Sequence, residues 1–217
     1  MTRPTSSTRG APAGGFGEYR RRNLLPAVLI VVVLVVAGIV TWTVVLTNSS
    51  SSETTACNLP PGRGGTVVPR TTLDSTEAAA PGDVRVTVFN GAGQRGQAQL
   101  AAVELGELGI AEAAPPDNDP LFPAQDLTCV GQIRYGPSGA AAARTLSLVV
   151  PCAELVEDGR PTDDVGLALG SDFREATPGQ GVTDALRGLS RAASDGAPVA
   201  GTDPATLSTL RDVACSS

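Results

Sequence analysis

The chain of 217 residues contains no histidine and no lysine, and all 16 of its basic residues are arginine. Histidine is the most frequent general base and a common zinc ligand, so its absence excludes the usual catalytic triads and most zinc sites. If the four cysteines are bonded in disulfides, catalysis would have to use Asp, Glu, Ser or Tyr. Two carboxylate pairs offer this chemistry, Asp117 with Asp119 and Asp163 with Asp164, but each lies in a polar stretch containing proline and is more simply a pair of solvated loop acids. We therefore predict no catalytic residue and no enzymatic activity.

Charge is also absent from residues 24–46, a largely apolar run of 23 residues. At about 1.5 Å rise per residue, a helix of this length crosses the roughly 30 Å hydrocarbon core of a bilayer. A cleaved signal peptide is the alternative, but its apolar core is only about 7–15 residues long and no A-x-A site follows here. Five arginines and one acid, Glu18, precede the run. The positive-inside rule therefore predicts a single-pass membrane protein with a cytoplasmic N-terminus and an extracytoplasmic C-terminal part.

Composition divides the rest of the chain. Residues 1–23 form a predicted cytoplasmic basic tail, and residues 47–82, which are dominated by Ser, Thr, Pro, Gly and Ala, form a predicted extracytoplasmic tether. Residues 83–217 are long enough for one compact domain. Beyond the predicted span lie 11 of the arginines and 21 of the 22 acidic residues, a net charge of −10. This charge argues against nucleic acid, or an anionic polymer attracted by bulk electrostatics, as a partner.

Hydrophobic periodicity predicts two β-α-β units in the domain. The first has a strand over residues 84–90, a helix that buries Ala98, Ala101, Ala102 and Leu105 and stops at Gly109, and a weak strand over 110–114. After a loop at 117–128, the second has a strand over 130–135, a helix over 140–150 and an apolar strand over 165–169. Two helices, over 182–193 and 204–214, close the chain. The predicted fold is α/β (α+β): a small sheet from two β-α-β units with packed helices and two C-terminal helices, behind one transmembrane helix.

The four cysteines, Cys57, Cys129, Cys152 and Cys215, all lie beyond the predicted span. An even number in an oxidising compartment indicates two disulfides. With no histidine and no C-x-x-C pair, we predict no metal site. If the helix over 140–150 runs back along the strand that precedes it, Cys152 returns toward Cys129. Among the three pairings we therefore predict Cys129 with Cys152 and Cys57 with Cys215.

The turn after the first strand holds the spacing G-x-G-x-x-G, formed by Gly91, Gly93 and Gly96, which is also used to bind dinucleotides. Dinucleotides are not expected outside the membrane, and glycines also serve sharp turns and close packing of a helix on a sheet. Backbone N–H groups at this helix start, with Arg95 beside them, could instead contact an anion or a polymer. Of these two interpretations of the motif, we favour the structural turn over the contact site. Asn90, Gly91, Gly93, Arg95 and Gly96 form the candidate contact loop, and no cofactor is expected.

Residues 84–110 contain, in this order, a predicted strand, the turn Asn90-Gly91-Ala92-Gly93-Gln94-Arg95-Gly96 and an alanine-rich helix that ends in Leu108-Gly109. This order resembles the LytR C-terminal domain family, with support from residues 131–135 and 165–173. That module ends the cell-wall glycopolymer ligases of the LytR-CpsA-Psr type and also stands alone behind one membrane span in actinobacteria. The ligases' catalytic domain precedes it, and the 37 residues between positions 46 and 84 leave no room for one. The resemblance therefore implies a role at the envelope without a reaction.

We accordingly predict a non-enzymatic single-pass protein of the cell membrane that supports cell envelope integrity. Its outer domain is expected to bind cell-wall polymer or an envelope partner protein, and no nucleic acid. One alternative is a regulatory or interaction subunit of a LytR-CpsA-Psr-type glycopolymer ligase. An alternative of another class is a nucleotide-binding or glycan-hydrolysing enzyme.

Overall fold

The computed structural model describes residues 30–32, 34–36, 38, 56–60, 62–197, 199–213 and 215. The chain divides into two units, Met1–Ser50 and Ser51–Ser217. The described residues of the first unit are helical. Within the described part of the chain, no helix is both long and apolar enough to span a bilayer. The predicted cytoplasmic tail and most of the span predicted over residues 24–46 lie outside the described residues.

The second unit is a mixed α+β domain, which confirms the predicted class. Its strands are β1 (Thr66–Val68), β2 (Arg85–Asn90), β3 (Ala111–Glu112), β4 (Asp117–Asn118), β5 (Gly131–Tyr135), β6 (Glu154–Glu157) and β7 (Val165–Leu169). Its α-helices are α1 (Gln97–Glu107), α2 (Ala140–Val149), α3 (Gln180–Asp195) and α4 (Pro204–Arg211). Short 3-10 turns occupy Arg70–Leu73, Pro81–Asp83 and Pro137–Gly139.

The strands form one sheet in the order β1-β6-β5-β7-β2-β3, and β4 continues the β3 edge beside the end of β2. The first predicted β-α-β unit is present, because β2 and β3 flank α1 in parallel. The second contains the predicted strand and helix, but the strand that pairs with β5 in parallel after α2 is β6. The last strand, β7, inserts between the units, parallel to β2 and antiparallel to β5. Pro115 and Pro116, which cannot donate to a ladder, separate β3 from β4 at the edge.

Alternation along each strand gives the sheet two covered faces. The helix face carries the apolar core shared with the helices, and it includes Val86, Val88, Ile133, Leu155, Leu167, Ala101, Leu105, Leu146, Leu186 and Leu207. The loop face lies under the segment of residues 119–129, where Phe122, Leu127 and Cys129 pack on Ala168 of β7. A sheet buried on both faces explains why β5 and β7 are buried at every residue.

The four cysteines do form two disulfides, but the predicted pairing is wrong. The bonds are Cys57–Cys129 and Cys152–Cys215. Cys152 does return to the end of the sheet where β5 starts, since Gln132 pairs with Glu154. However, Cys129 packs on the loop face, whereas Cys152 follows α2 on the helix face. The sheet therefore separates these two cysteines, and each bonds to a cysteine on its own side.

Two further predictions are corrected. The predicted tether extends too far, because β1 pairs with β6 and Leu73 is buried in the core. Residues 57–59 also belong to the domain, since Asn58 Nδ2 donates to Asp126 O at 2.8 Å and Asn58 Oδ1 accepts from Thr128 N at 2.8 Å. The second β-α-β unit closes with β6, a strand that we did not predict, and not with the strand over residues 165–169. Glutamates at both ends of β6 leave only two apolar residues, which is too short for a periodic signal.

Candidate functional site

The candidate contact loop lies at the carboxyl ends of two parallel neighbouring strands. It follows β2 directly, and Gly91 N donates to Leu169 O at the end of β7 at 2.9 Å. From the loop face, Leu127 N donates to Gly91 O at 2.9 Å. The start of the loop is thus held by the sheet on one side and by the 119–129 segment on the other.

Asn90 organises this loop from a buried position, with only 7 % of its surface exposed. Its Oδ1 accepts hydrogen bonds from Ala92 N at 3.2 Å and Gly93 N at 3.0 Å, and its Nδ2 donates to Gln94 O at 2.9 Å. Gln97 N, at the first position of α1, donates to Gln94 O at 3.3 Å. Three of the backbone amides near this helix start, those of Ala92, Gly93 and Gln97, are therefore already used within the loop itself.

The three glycines of the motif have separate structural causes. A Cβ on Gly91 would lie 2.8 Å from Leu127 Cδ2 and 3.0 Å from Leu169 O, so no larger residue fits between the strand end and the 119–129 segment. Gly93 and Gly96 have positive φ angles of 73° and 77°, which glycine adopts without steric cost. These causes account for the G-x-G-x-x-G spacing by turn geometry and close packing.

The exposed part of the loop continues onto the outer face of α1. Arg95 and Gly96 are exposed, and Leu100 and Val103 follow Gly96 at helical spacings of four and seven residues. Leu100 is 58 % exposed and Val103 is 60 % exposed. We call Arg95, Leu100 and Val103 the α1 strip: one guanidinium in the loop just before α1 and two aliphatic side chains on the exposed face of that helix, whose other face is buried.

One flank of α1 is held by the segment that leaves β7. Gln97 Nε2 donates to Phe173 O at 3.5 Å, and Glu104 Oε2 accepts from Ala176 N at 2.7 Å. Phe173 and Ala176 are themselves buried in the core. The helix that carries the α1 strip is therefore fixed on the sheet by packing and by side-chain hydrogen bonds.

In neither of the two carboxylate pairs are both carboxylates free to act together as general acid and general base. Asp119 is buried and accepts two hydrogen bonds from Arg134, at 2.9 and 2.7 Å, while Asp117 is exposed. Asp164 pairs with Arg160 at 3.0 Å, and Asp163 is exposed. Each pair thus has one member engaged by an arginine and the other in solvent. Among the described residues, no group of three or more acids or cysteines is placed to hold a metal ion.

A buried polar network on the loop face was missed by sequence reasoning. Arg134 donates to Asp119 and also to Gln132 Oε1 at 2.7 and 3.1 Å, and Gln132 Nε2 donates to Glu154 Oε2 at 2.9 Å. The Arg134 guanidinium lies 5.8 Å from the centre of the Phe122 ring. The signal in the sequence is the alternation of Gln132 and Arg134 with apolar neighbours in a strand, which indicates a polar second face.

A second charged group borders this face. Arg160 Nη2 and Asp158 Oδ2 are 2.6 Å apart, and Arg160 also pairs with Asp164. Burial raises the pKa of the Asp158 carboxyl, but the hydrogen bonds and charge of Arg160 outweigh this effect and hold the pKa below its ordinary value. This pair fixes the turn between β6 and β7.

Comparison with known proteins gives consistent matches. Residues 83–173 match the family described as LytR cell envelope-related transcriptional attenuator, the LytR C-terminal domain. The chain is 37 % identical over 205 residues to the cell envelope integrity protein Cei of Mycobacterium tuberculosis (strain ATCC 25618 / H37Rv), covering 91 % of this chain and 92 % of that protein.

A solved structure is also similar. The crystallised soluble domain of a conserved hypothetical secreted protein from Mycobacterium marinum superposes with a TM-score of 0.63 at 35 % identity, covering 70 % of this chain and 99 % of that one. A secreted relative agrees with the two disulfides, which persist in oxidising compartments. From the family match and the 37 % identity to the envelope integrity protein, the chain belongs to the cell envelope integrity protein family that carries a LytR C-terminal domain.

Proposed function

We propose that this protein supports cell envelope integrity as a non-catalytic binding module, held at the membrane by the span predicted over residues 24–46. The observation that carries the proposal is the 37 % identity to an envelope integrity protein across nearly the full length of both chains. A match of that extent includes the segments on both sides of the LytR C-terminal domain at residues 83–173. The outer domain is then the part that meets other envelope components.

The α1 strip is the contact surface that we assign to this function. Leu100 and Val103 leave more than half of their surfaces in water, although α1 buries Ala98, Ala101 and Leu105 on its other face. Exposed aliphatic side chains, with one exposed cation in the loop that leads into the same helix, suit a partner that offers apolar groups and a carboxylate. The loop below the strip is fixed by Asn90, so the strip is presented on a rigid support.

The partner that best fits this surface is an envelope protein. A highly anionic polymer is disfavoured by the net charge of −10 beyond the predicted span. A protein segment gains from burying Leu100 and Val103, whereas a hydrated glycan offers less apolar surface. Binding of wall polymer and association with a glycopolymer ligase are outcomes that the experiment below separates.

The hydrolytic and nucleotide-binding alternatives find less support. Asp119 is buried and both of its carboxylate oxygens are engaged by Arg134, so it is not placed to meet a substrate. The backbone amides of Ala92 and Gly93 already donate to Asn90 Oδ1, so neither is free to bind a nucleotide phosphate. Both observations favour a binding role for the domain.

The experiment is complementation of a strain that lacks this protein. We expect the deletion to raise uptake of a large hydrophobic dye and sensitivity to detergent, and the wild-type chain to restore both. A chain carrying Arg95→Ala, Leu100→Gln and Val103→Gln should reach the same level in the membrane yet fail to restore them. Arg187→Ala, on the exposed face of α3, is the matched control and should restore them fully.

A photo-crosslinking residue at position 100 identifies the partner in living cells. We expect a protein adduct that survives digestion of the wall and disappears with Arg95→Ala and Val103→Gln. An adduct released by wall digestion would assign the strip to polymer instead. A deletion strain with unchanged dye uptake and detergent resistance would refute the envelope function itself.

A further inference from the structure

Two arginines pair with one carboxylate, and a third arginine lies beside them, where the Arg70–Leu73 turn, α2 and α4 meet. Asp74 Oδ1 lies 2.6 Å from Arg211 Nη2 and 3.3 Å from Arg144 Nη1. The side chain of Arg144 is fully buried, that of Arg211 is 6 % exposed, and that of Asp74 is 34 % exposed. Arg70 joins them by donating from Nη2 to Arg211 O at 3.2 Å. We call Arg70, Asp74, Arg144 and Arg211 the arginine cluster.

The other partners of these guanidinium groups are neutral. Arg144 Nη2 donates to Ser208 Oγ at 2.8 Å and to Pro204 O at 3.2 Å. Arg211 donates to Arg70 O and, at 3.4 Å, to Ser147 Oγ. These oxygens satisfy hydrogen bonds without supplying charge. Within the cluster, three positive charges therefore face one negative charge.

Two observations indicate that the cluster has unused capacity for an anion. Arg70 Nε and Arg144 Nε are buried and have no hydrogen-bond partner, although buried N–H groups in folded proteins are almost always paired. Burial lowers the pKa of Arg211; the charges of Asp74 and Asp212 raise it, whereas the charges of Arg144 and Arg70 lower it. Asp212 follows Arg211 but is exposed. A buried excess of positive charge is costly unless a counter-charge is bound.

We propose that the arginine cluster is a binding site for a phosphate group. Guanidinium N–H groups bind tetrahedral oxyanions, and Arg70 Nε and Arg144 Nε are two such donors without a partner. A dianion matches the excess of two positive charges. Asp74 and Arg70 are the partly exposed members, so the anion enters beside them. Since the outer part of the chain carries a net charge of −10, this attraction is local and not a property of the whole domain.

The phosphate group has two chemical sources: the free ion and the phosphomonoester headgroup of a membrane lipid. Both present the same three oxygens to the cluster. The site differs from the α1 strip, which lies on another helix, so this proposal stands or falls independently of the partner-binding surface.

The test uses the full chain in a nonionic detergent and Tris chloride, with unfolding followed by circular dichroism. At about ten times its Kd, inorganic phosphate should raise the folded-to-unfolded ratio roughly tenfold and Tm by about 4 °C over chloride of equal ionic strength. Arg70→Gln should lose this rise. Arg187→Gln removes one exposed positive charge from α3 and should keep it. A second arm replaces the phosphate ion with phosphatidic acid in mixed micelles, against phosphatidylcholine.

A rise with the free ion alone assigns the site to small anions, and a larger rise with phosphatidic acid assigns it to a lipid headgroup. Asp74→Asn deepens the imbalance of charge and should make the phosphate-dependent rise larger. If Asp74→Asn does not fold, the pair Arg70→Gln and Arg187→Gln decides the matter. No rise in wild type in either arm, or equal rises in Arg70→Gln and Arg187→Gln, would overturn the proposal.

Discussion

A single strand, β5, shows how differently the two faces of the sheet are held. On the helix face Ile133 is fully buried among aliphatic side chains such as Leu167, and burial of apolar surface stabilises the contact. On the loop face Gln132 and Arg134 are equally inaccessible but are polar, and they depend on Asp119 and Glu154 as partners. The helix face gains stability from contact area, whereas the loop face needs every partner present.

The difference extends to how each face is covered. Helices cover one face with hydrogen bonds satisfied internally. The 119–129 segment covers the other, and it is fastened by the Cys57–Cys129 bond and by Asn58, which bonds to Asp126 and Thr128. Loss of a single group on the loop face is therefore expected to leave a buried partner unpaired and to destabilise the domain.

The largest expected effect is the loss of Asp119. Asp119→Ala leaves the Arg134 guanidinium buried without its carboxylate, and we expect the free energy of unfolding to fall by about 3–5 kcal/mol. Urea unfolding followed by circular dichroism measures the loss. Asp184→Ala, which breaks the exposed pair with Arg187, is the control and should cost less than about 1 kcal/mol.

A double variant that replaces both members of the Asp119–Arg134 pair tests the same dependence on a buried partner. Replacing both charges, by Asp119→Leu with Arg134→Met, should cost less than Asp119→Ala alone, because no unpaired charge then stays buried. Equal losses for Asp119→Ala and Asp184→Ala would mean that the loop face does not depend on its buried pair.

Local patterns predicted the helices and β2 because each carries its own periodicity, as with Ala98, Ala101 and Leu105 in α1. The motif at Asn90 was recognised for the same reason, since its contacts span only four residues. Long-range features were not predictable in this way. The Arg134–Asp119 pair and the placement of Cys129 depend on which face of the sheet a loop covers, and strand length does not encode the face.

The second expected effect concerns the covalent fastening of the loop face. Cys57→Ser with Cys129→Ser removes a disulfide between two cysteines that are 72 positions apart in the sequence. We expect the free energy of unfolding to fall by about 2–4 kcal/mol. Hydrogen exchange should rise in residues 119–129 and stay unchanged in α2. Faster exchange spread evenly over both regions would show that the bond stabilises the domain as a whole and not the loop face.

The smallest effect is the pH dependence of the Asp158–Arg160 pair. Because the folded pKa of Asp158 lies below the unfolded value of about 4, its contribution is complete above that pH and is lost as pH falls through the folded pKa. Asp158→Asn should therefore be less stable than wild type at neutral pH, with the difference shrinking in acid. Urea midpoints across this range measure it. A difference that stays constant into acid would contradict the depressed pKa.

The most direct measurement is non-reducing peptide mapping of the disulfides. The chain has no lysine and trypsin does not cut before Pro161, so the four cysteines fall on separate peptides, which span residues 23–63, 96–134, 145–174 and 212–217. If the sheet separates the loop face from the helix face as described, the bonded peptides are 23–63 with 96–134 and 145–174 with 212–217. Recovery of 96–134 bonded to 145–174 would place Cys129 and Cys152 on one face and contradict the two-face arrangement.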